Sequence, residues 1–532
     1  MKSLMKKVFA AAAAIATVFG LAATTVATAN AAGDNATLTV STTDAKFAGK
    51  TVNAYKMFSA TVSGDGQAVS YTLTDEWNPF FKNSTASGLT DVTDANINDK
   101  ANDYVSKLKD SALTAFAAKA SNWAQNTANS ITADATATVS KIAATDGKYT
   151  ATFTGLDYGY YVVAVPGATV ADTNSQYAAL VRVHSTKVDA DIKGALPTVD
   201  KKVQVDGTGK DATDAKIGDT LKFTLTSTIP DMSAYDTYTF NFKDTLSKGL
   251  TFGQVKSVKV ENVTLTENTD YTVTTPTASN NNTLTVAMKD FKTKQQANAG
   301  KKITVTYTAT LNKDAVVGGA GNVNSAKIQY SNNPSTNGTG ESEPSKVRVF
   351  TYGFTVDKYT GDQYTDAATR LAGAKFTLAP KNGDPMSFVQ VSAGSATANA
   401  VYRVAKAGET GTTTITTPEN GKVDFQGLKN GEYTLTETKA PAGYNKLASA
   451  IGVKVNGQNN GTDTTNATVT ITYNNDNGND YNQTASNGVI PVQNKSGAIL
   501  PGTGGMGTIA FTVIGVLVIA LGVAWTLKRK NA

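Results

Sequence analysis

Mainly β structure, arranged as tandem immunoglobulin-like antiparallel sandwiches, is the fold class this 532-residue sequence predicts, and three observations predict it. Between residues 34 and 495, β-branched and aromatic residues recur in short alternating runs: LTVST, YTATF, YYVVAV, LKFTLTS, ITVTYTATL, FTVDKY, YTLTE and VTITY. Alternation sends successive side chains to opposite faces of a strand, one apolar and one wet. Clusters such as SNNPSTNGTG and NNDNGND separate the runs and read as turns. Helical periodicity is convincing in one stretch alone, 98–124, inside the N-terminal third. Short strands at this spacing suit sandwiches.

The two ends read as addresses. Lys2, Lys6 and Lys7 precede the apolar run VFAAAAAIATVFGLAA, and small residues follow at Ala29-Asn30-Ala31, so 1–31 reads as a cleaved secretory signal peptide. Near the other end, Leu500-Pro501-Gly502-Thr503-Gly504 fits L-P-x-T-G, the signal by which surface proteins are cut and linked to a cell wall. The uncharged stretch 507–527 is long enough to span a bilayer as a helix, and 528–532 begins with Lys528, Arg529 and Lys530, as a cytoplasmic end should. Gly502, Gly504 and Gly507 also fit G-x-G-x-x-G. However, Pro501 would interrupt the required strand, and no acidic residue follows.

Charge and composition exclude several function classes. The net charge is +6, with three positive charges in the signal and three after Gly504, so 32–503 is neutral and offers no nucleic-acid surface. With no Cys there are no disulfides and no thiol chemistry; with His184 the only His, a His-based triad or His-rich metal site has no material. His184 reads as a strand residue. NNDNGND has oxygen ligands but lacks the EF-hand glutamate and spacing, so no metal and no cofactor are expected.

Boundaries at GALP (194–197) and VRVFTYG (347–353) divide the roughly 470-residue mature segment into 34–195, 196–350 and 351–497. GLKNGEYTLTE (427–437) echoes GLDYGYYVVAV (155–165), and FTVDK (354–358) echoes LTVST (38–42), so the first and third domains read as variants of one module. In the third, alternation places Phe354, Val356 and Lys358 on the inward face, with Tyr433, Leu435 and Glu437, and with Val492 and Asn494. Lysine, acid and amide in one apolar core need a reason. One is an ordinary buried salt bridge beside an amide. The other is a covalent Lys–Asn isopeptide bond: burial favours a neutral, nucleophilic amine and a protonated acid that polarises the amide and carries a proton to departing ammonia. In the middle domain Val199, Lys201, Val203 and Val205 share a face. FKDTLSKGLTF offers Asp244, and NVNSAKIQYSNNP offers Asn324, with Asn322 the rival acceptor.

YTLTETKAPAGY (433–444), LAGAKFTL (371–378) and LPGTG resemble motifs of the backbone (major) pilins of Gram-positive bacteria, which sortases assemble into fimbriae. The resemblance implies Cna-type sandwiches and a Lys358–Asn494 bond promoted by Glu437, at an E-box. In the middle domain it implies a Lys201–Asn324 bond promoted by Asp244. The first domain's equivalents of Lys358 and Glu437 are Thr42 and Val165, so no cross-link is expected there; Lys56 in NAYKMF reads as a surface lysine. The resemblance further implies that a sortase cuts between Thr503 and Gly504 and joins Thr503 to a lysine of the next subunit. VDADIKG keeps the Val and Lys of the family's V-x-Y-P-K motif but lacks its Tyr-Pro, which points to Lys193, with Lys187 as runner-up. Expected partners are identical subunits, pilus-type and housekeeping sortases, peptidoglycan, minor pilins and a host-surface ligand. The expected place is the cell surface, after a transient stay in the membrane. No enzymatic activity is expected beyond the chain's reaction with itself. The alternative is a wall-anchored or tip adhesin without an acceptor lysine.

Overall fold

The computed structural model describes residues 35–497, without 64–67, 171–175, 234, 334–336, 363–365, 367–368, 459–466 and 476–479, and three isolated positions in the tail. The signal peptide, LPGTG, the apolar span 507–527, the basic end and most of NNDNGND lie outside the described residues. The chain divides into two compact units whose main parts meet in the sequence between Tyr352 and Gly353.

Among the described residues, six sheets form the β sandwiches, two in each third of the chain. In the first third, Ala36–Thr42 is the centre of a three-stranded sheet, antiparallel to Tyr149–Leu156 and parallel to Lys187–Asp191. The facing sheet is built on Thr51–Val62, Gly159–Val170 and Gln176–Val183. In the middle, one sheet holds Asp200–Val205, Thr220–Thr228 and Lys302–Leu311; the other holds Ser345–Phe350, Asn322–Ser331 and Phe240–Leu246. The last third repeats the first: Tyr352–Tyr359 lies between Lys422–Leu428 and the parallel Val489–Gln493, with Gly431–Lys439 in the facing sheet.

Alternation is what builds these layers. Lys302–Leu311 buries Ile303, Val305, Tyr307, Ala309 and Leu311 and leaves the intervening threonines half-buried. Each fully buried large side chain on such a strand stabilises by about 1.5–3 kcal/mol. The helical stretch expected at 98–124 is two helices, Ile97–Lys107 and Asp110–Gln125. Apolar spacing runs straight through the break, because Leu108 turns extended (ψ 135°) yet still packs on the same core as Val105 and Phe116. Asp110 then starts the second helix at φ 48°.

Candidate functional site

Among the described residues, two clusters of lysine, acid and amide are buried in apolar cores. In the last third, Lys358 ends the inward face of Tyr352–Tyr359 at 0% exposure, Glu437 stands on Gly431–Lys439 at 2%, and Asn494 follows Val489–Gln493 at 1%. Lys358 pairs with Val492 in parallel register, which brings its strand against the segment that ends in Asn494. Lys358 Nζ donates to the Val492 carbonyl (3.0 Å) and lies 3.6 Å from Glu437 Oε1. Glu437 Oε2 accepts from Asn494 Nδ2 (3.0 Å) and from the Leu447 N–H (2.8 Å). Asn494 Nδ2 also donates to the Asn445 carbonyl (2.9 Å). Burial holds the Lys358 amine down to about 8, against the upward pull of Glu437. The neighbouring Asp357 is buried too, on the opposite face of the strand, where Arg370 Nε reaches its carboxylate at 2.7 Å.

In the middle third Lys201, Asp244 and Asn324 are each 0% exposed, and Tyr307 joins them. Lys201 Nζ donates to Asp244 Oδ2 and to the Tyr307 hydroxyl (2.9 Å). That hydroxyl donates to Asp244 Oδ2 (2.6 Å) and accepts from Asn324 Nδ2 (2.6 Å). Burial lowers the Lys201 amine to about 8, opposed by Asp244. Phe223 stacks on Tyr307 with centroids 5.3 Å apart, and Nζ lies 5.2 Å from both ring centroids. In each cluster one acid oxygen and the amide oxygen have no hydrogen-bond partner: Asp244 Oδ1 with Asn324 Oδ1, Glu437 Oε1 with Asn494 Oδ1.

Every residue expected in these clusters is brought together. Asn322 is not: it is buried on the same face, but Val316 and Val349 backbone groups take up its amide. Tyr307 went unnoticed in the sequence. Its signal was present in ITVTYTATL, where alternation puts it inward, and it pairs in register with Phe223.

The first third corrects one assignment. There Thr37 pairs with Lys187 and Ile192 N–H donates to the Ser41 carbonyl (2.8 Å). In the last third Thr355 pairs with Val489 and Asn494 N–H donates to the Tyr359 carbonyl (2.9 Å). Counting along these matching ladders puts Val40, not Thr42, at the Lys358 position and Ile192 at the Asn494 position; matching the runs by their letters had slipped the strand by two residues. Val40, Val165 and Ile192 are buried and apolar. Lys56, read from the sequence as a surface lysine, is partly buried: its side chain is 19% exposed and pairs with Asp157 at 2.8 Å. His184 lies one residue beyond the strand Gln176–Val183.

Lys193 and Lys187 are both exposed. Lys187 opens its strand, whereas Lys193 sits in the short loop before Gly194–Ala195. The approach to Lys193 is fixed by buried Ile192, by Ser41 Oγ donating to Asp191 Oδ1 (3.0 Å) and by the Tyr177 hydroxyl donating to the Asp191 carbonyl (2.8 Å).

Residues 217–334 match the family described as Gram-positive pilin backbone subunit 2, Cna-B-like domain, and residues 362–470 match SpaA, prealbumin-like fold domain. The trypsin-resistant surface T6 protein of Streptococcus pyogenes is 26% identical over 279 residues, 47% of this chain and 44% of that protein, so the match spans less than half the relative's length. The solved T6 backbone pilin of serotype M6 S. pyogenes aligns over 87% of this chain and 99% of its own at 18% identity, with a TM-score of 0.46. The full-length major pilin SpaD of Corynebacterium diphtheriae covers the same 87%, and 98% of its own chain, at 20% identity and a TM-score of 0.38.

Proposed function

We propose that this chain, built from Gram-positive pilin-backbone and SpaA-type prealbumin-like domains, is the shaft subunit of a covalently polymerised surface fimbria. The observation that carries the reading is the pair of fully buried lysine–acid–amide clusters. Burying charged groups costs several kcal/mol each even when paired, so two such clusters in otherwise apolar cores call for a return beyond stability. A self-made isopeptide bond supplies it. Proton transfer from lysine to acid leaves a neutral amine beside the asparagine carbonyl. Nζ attacks Cγ, the Cγ–Nδ2 bond breaks, and ammonia leaves. A proton on the acid is the donor that the two unpartnered oxygens of each cluster lack, and it polarises the carbonyl for attack. Contact alone gives effective molarities of about 10⁵–10⁸ M for well-oriented groups, which suits a reaction performed once.

Polymerisation follows from the ends. A sortase cuts between Thr503 and Gly504 and transfers the Thr503 carboxyl to Lys193 of another copy, and the last subunit is passed to peptidoglycan. Tension entering at Lys193 reaches Lys201, crosses to Asn324, runs to Lys358 and crosses to Asn494 before leaving at Thr503. The loops 202–323 and 359–493 are thereby spared, and the first third lies outside the loaded path. The test is electrophoresis of boiled wall extracts. A ladder of high-mass species in the parent, lost in Lys193→Ala and kept in Lys187→Ala, is expected; a single band in the parent overturns the shaft reading in favour of a monomeric wall-anchored adhesin.

A further inference from the structure

The Tyr307 hydroxyl touches both nitrogens that exchange places in the middle cross-link, Lys201 Nζ at 2.9 Å and Asn324 Nδ2 at 2.6 Å. It touches the acid as well, at Asp244 Oδ2. Among the described residues no other side chain in that core does this. In the last third two separate backbone carbonyls accept the corresponding hydrogen bonds: Val492 O takes the Lys358 amine and Asn445 O takes the Asn494 amide. A carbonyl can hold either nitrogen but has no proton to give. A phenol can accept one and donate another.

We propose, resting on the cross-linking reading above, that Tyr307 is a catalytic residue of the Lys201–Asn324 reaction, relaying a proton from the attacking nitrogen to the leaving one. The balance is simple. Lys201 first gives one proton to Asp244 and becomes a neutral amine. Its Nζ then bonds to Asn324 Cγ, and the nitrogen carries one hydrogen too many for an amide. That hydrogen passes to the Tyr307 oxygen while the Tyr307 hydrogen turns from Asp244 to Nδ2. The Cγ–Nδ2 bond breaks and NH₃ departs with its own two hydrogens and the relayed one. Tyr307 ends as it began, and no co-reactant is consumed.

The surroundings suit a relay rather than a base. Tyr307 is fully buried, stacked on Phe223 and leaning on Phe252, with centroids 6.0 Å apart. Burial and the neighbouring Asp244 raise its hydroxyl well above the usual tyrosine value, so it stays protonated between steps. The stack also fixes the ring, so the hydroxyl needs only to rotate about its C–O bond.

The test is a pulse-labelled time course of the full chain, with the Lys201–Asn324 and Lys358–Asn494 peptides quantified by mass spectrometry. Tyr307→Phe keeps the ring and removes the relay. It is expected to slow formation of the first peptide on the order of a hundredfold, the lower range for a positioned proton-transfer group, while the second forms at the parental rate in the same molecules. Phe223→Leu disturbs the same packing but keeps the hydroxyl, and it should link within a few-fold of the parent. Equal rates in Tyr307→Phe and parent would overturn the relay, as would equal slowing in Tyr307→Phe and Phe223→Leu. A parent chain that never yields the Lys201–Asn324 peptide would instead overturn the cross-linking reading on which the relay rests.

Discussion

The middle and last clusters hold the same three groups but distribute them differently between their two sheets. In the middle, Lys201 and Tyr307 stand on one sheet and Asp244 and Asn324 on the facing one, where Phe240–Leu246 and Asn322–Ser331 are neighbours with Leu246 opposite Asn324. In the last third, Lys358 stands on one of two adjacent parallel strands of a single sheet and Asn494 directly follows the other, and only Glu437 comes from across the core. One proposed bond therefore staples sheet to sheet, and the other ties the first strand of a sandwich to its last. What the chemistry needs is contact in a dry interior, which either topology supplies. The third example sharpens this: the first sandwich repeats the strand arrangement of the last, yet Val40, Val165 and Ile192 fill the three positions.

The largest test of this comparison removes each acid. Asp244→Ala should abolish the Lys201–Asn324 peptide and leave Lys358–Asn494 intact, and Glu437→Ala should do the reverse; in each case the shortfall of intact mass against the variant's own sequence mass shrinks by one ammonia. Loss of both bonds from either change would mean that the clusters are not independent. Next in size is stability. If the loop-entropy relation for disulfides carries over, Asn324→Ala and Asn494→Ala should each cost their own sandwich about 4–5 kcal/mol, read by denaturant unfolding, because each proposed bond would close a loop of more than 100 residues.

A smaller effect concerns pH. Both lysine amines sit near 8 in the folded chain rather than 10.5, so protonation opposes folding wherever the folded amine is charged. Between about 8 and 10.5 the unfolded chain binds more protons, so stability rises with pH across that window. An unlinked Asn494→Ala chain should gain about 2–3 kcal/mol there, whereas the linked parent, whose nitrogen is an amide, should not. A flat profile for the variant would mean that burial does not depress Lys358. The smallest test is Asn322→Ala, which removes hydrogen bonds to the backbone of Val316 and Val349. It should cost about 1–3 kcal/mol and leave the parental mass deficit unchanged.

Strand alternation made much of this legible. Lys358 and Lys201 were readable as inward because their neighbours two residues away are apolar, and Glu437 and Asn494 followed by the same count. Choosing between Asn322 and Asn324 was beyond that rule, since both lie on the buried face; what separates them is the Val316 and Val349 backbone that occupies Asn322. Tyr307 looked like one more core aromatic because periodicity reports burial and says nothing of which hydroxyl meets which amine. The Thr42 assignment failed for another reason: similar letters in two strands do not fix register, and a two-residue slip keeps the same side inward. The break at Leu108 escaped notice because its apolar side chain preserves the helical spacing while its backbone does not.

Each cluster draws its groups from strands far apart in sequence and from both layers of its sandwich. Ammonia released by the proposed reaction would then be a certificate of assembly: no misregistered or half-collapsed chain could bring amine, acid and amide into contact. A subunit carrying both bonds would bear a permanent chemical record of having reached its native state, legible long afterwards in a boiled, denatured sample.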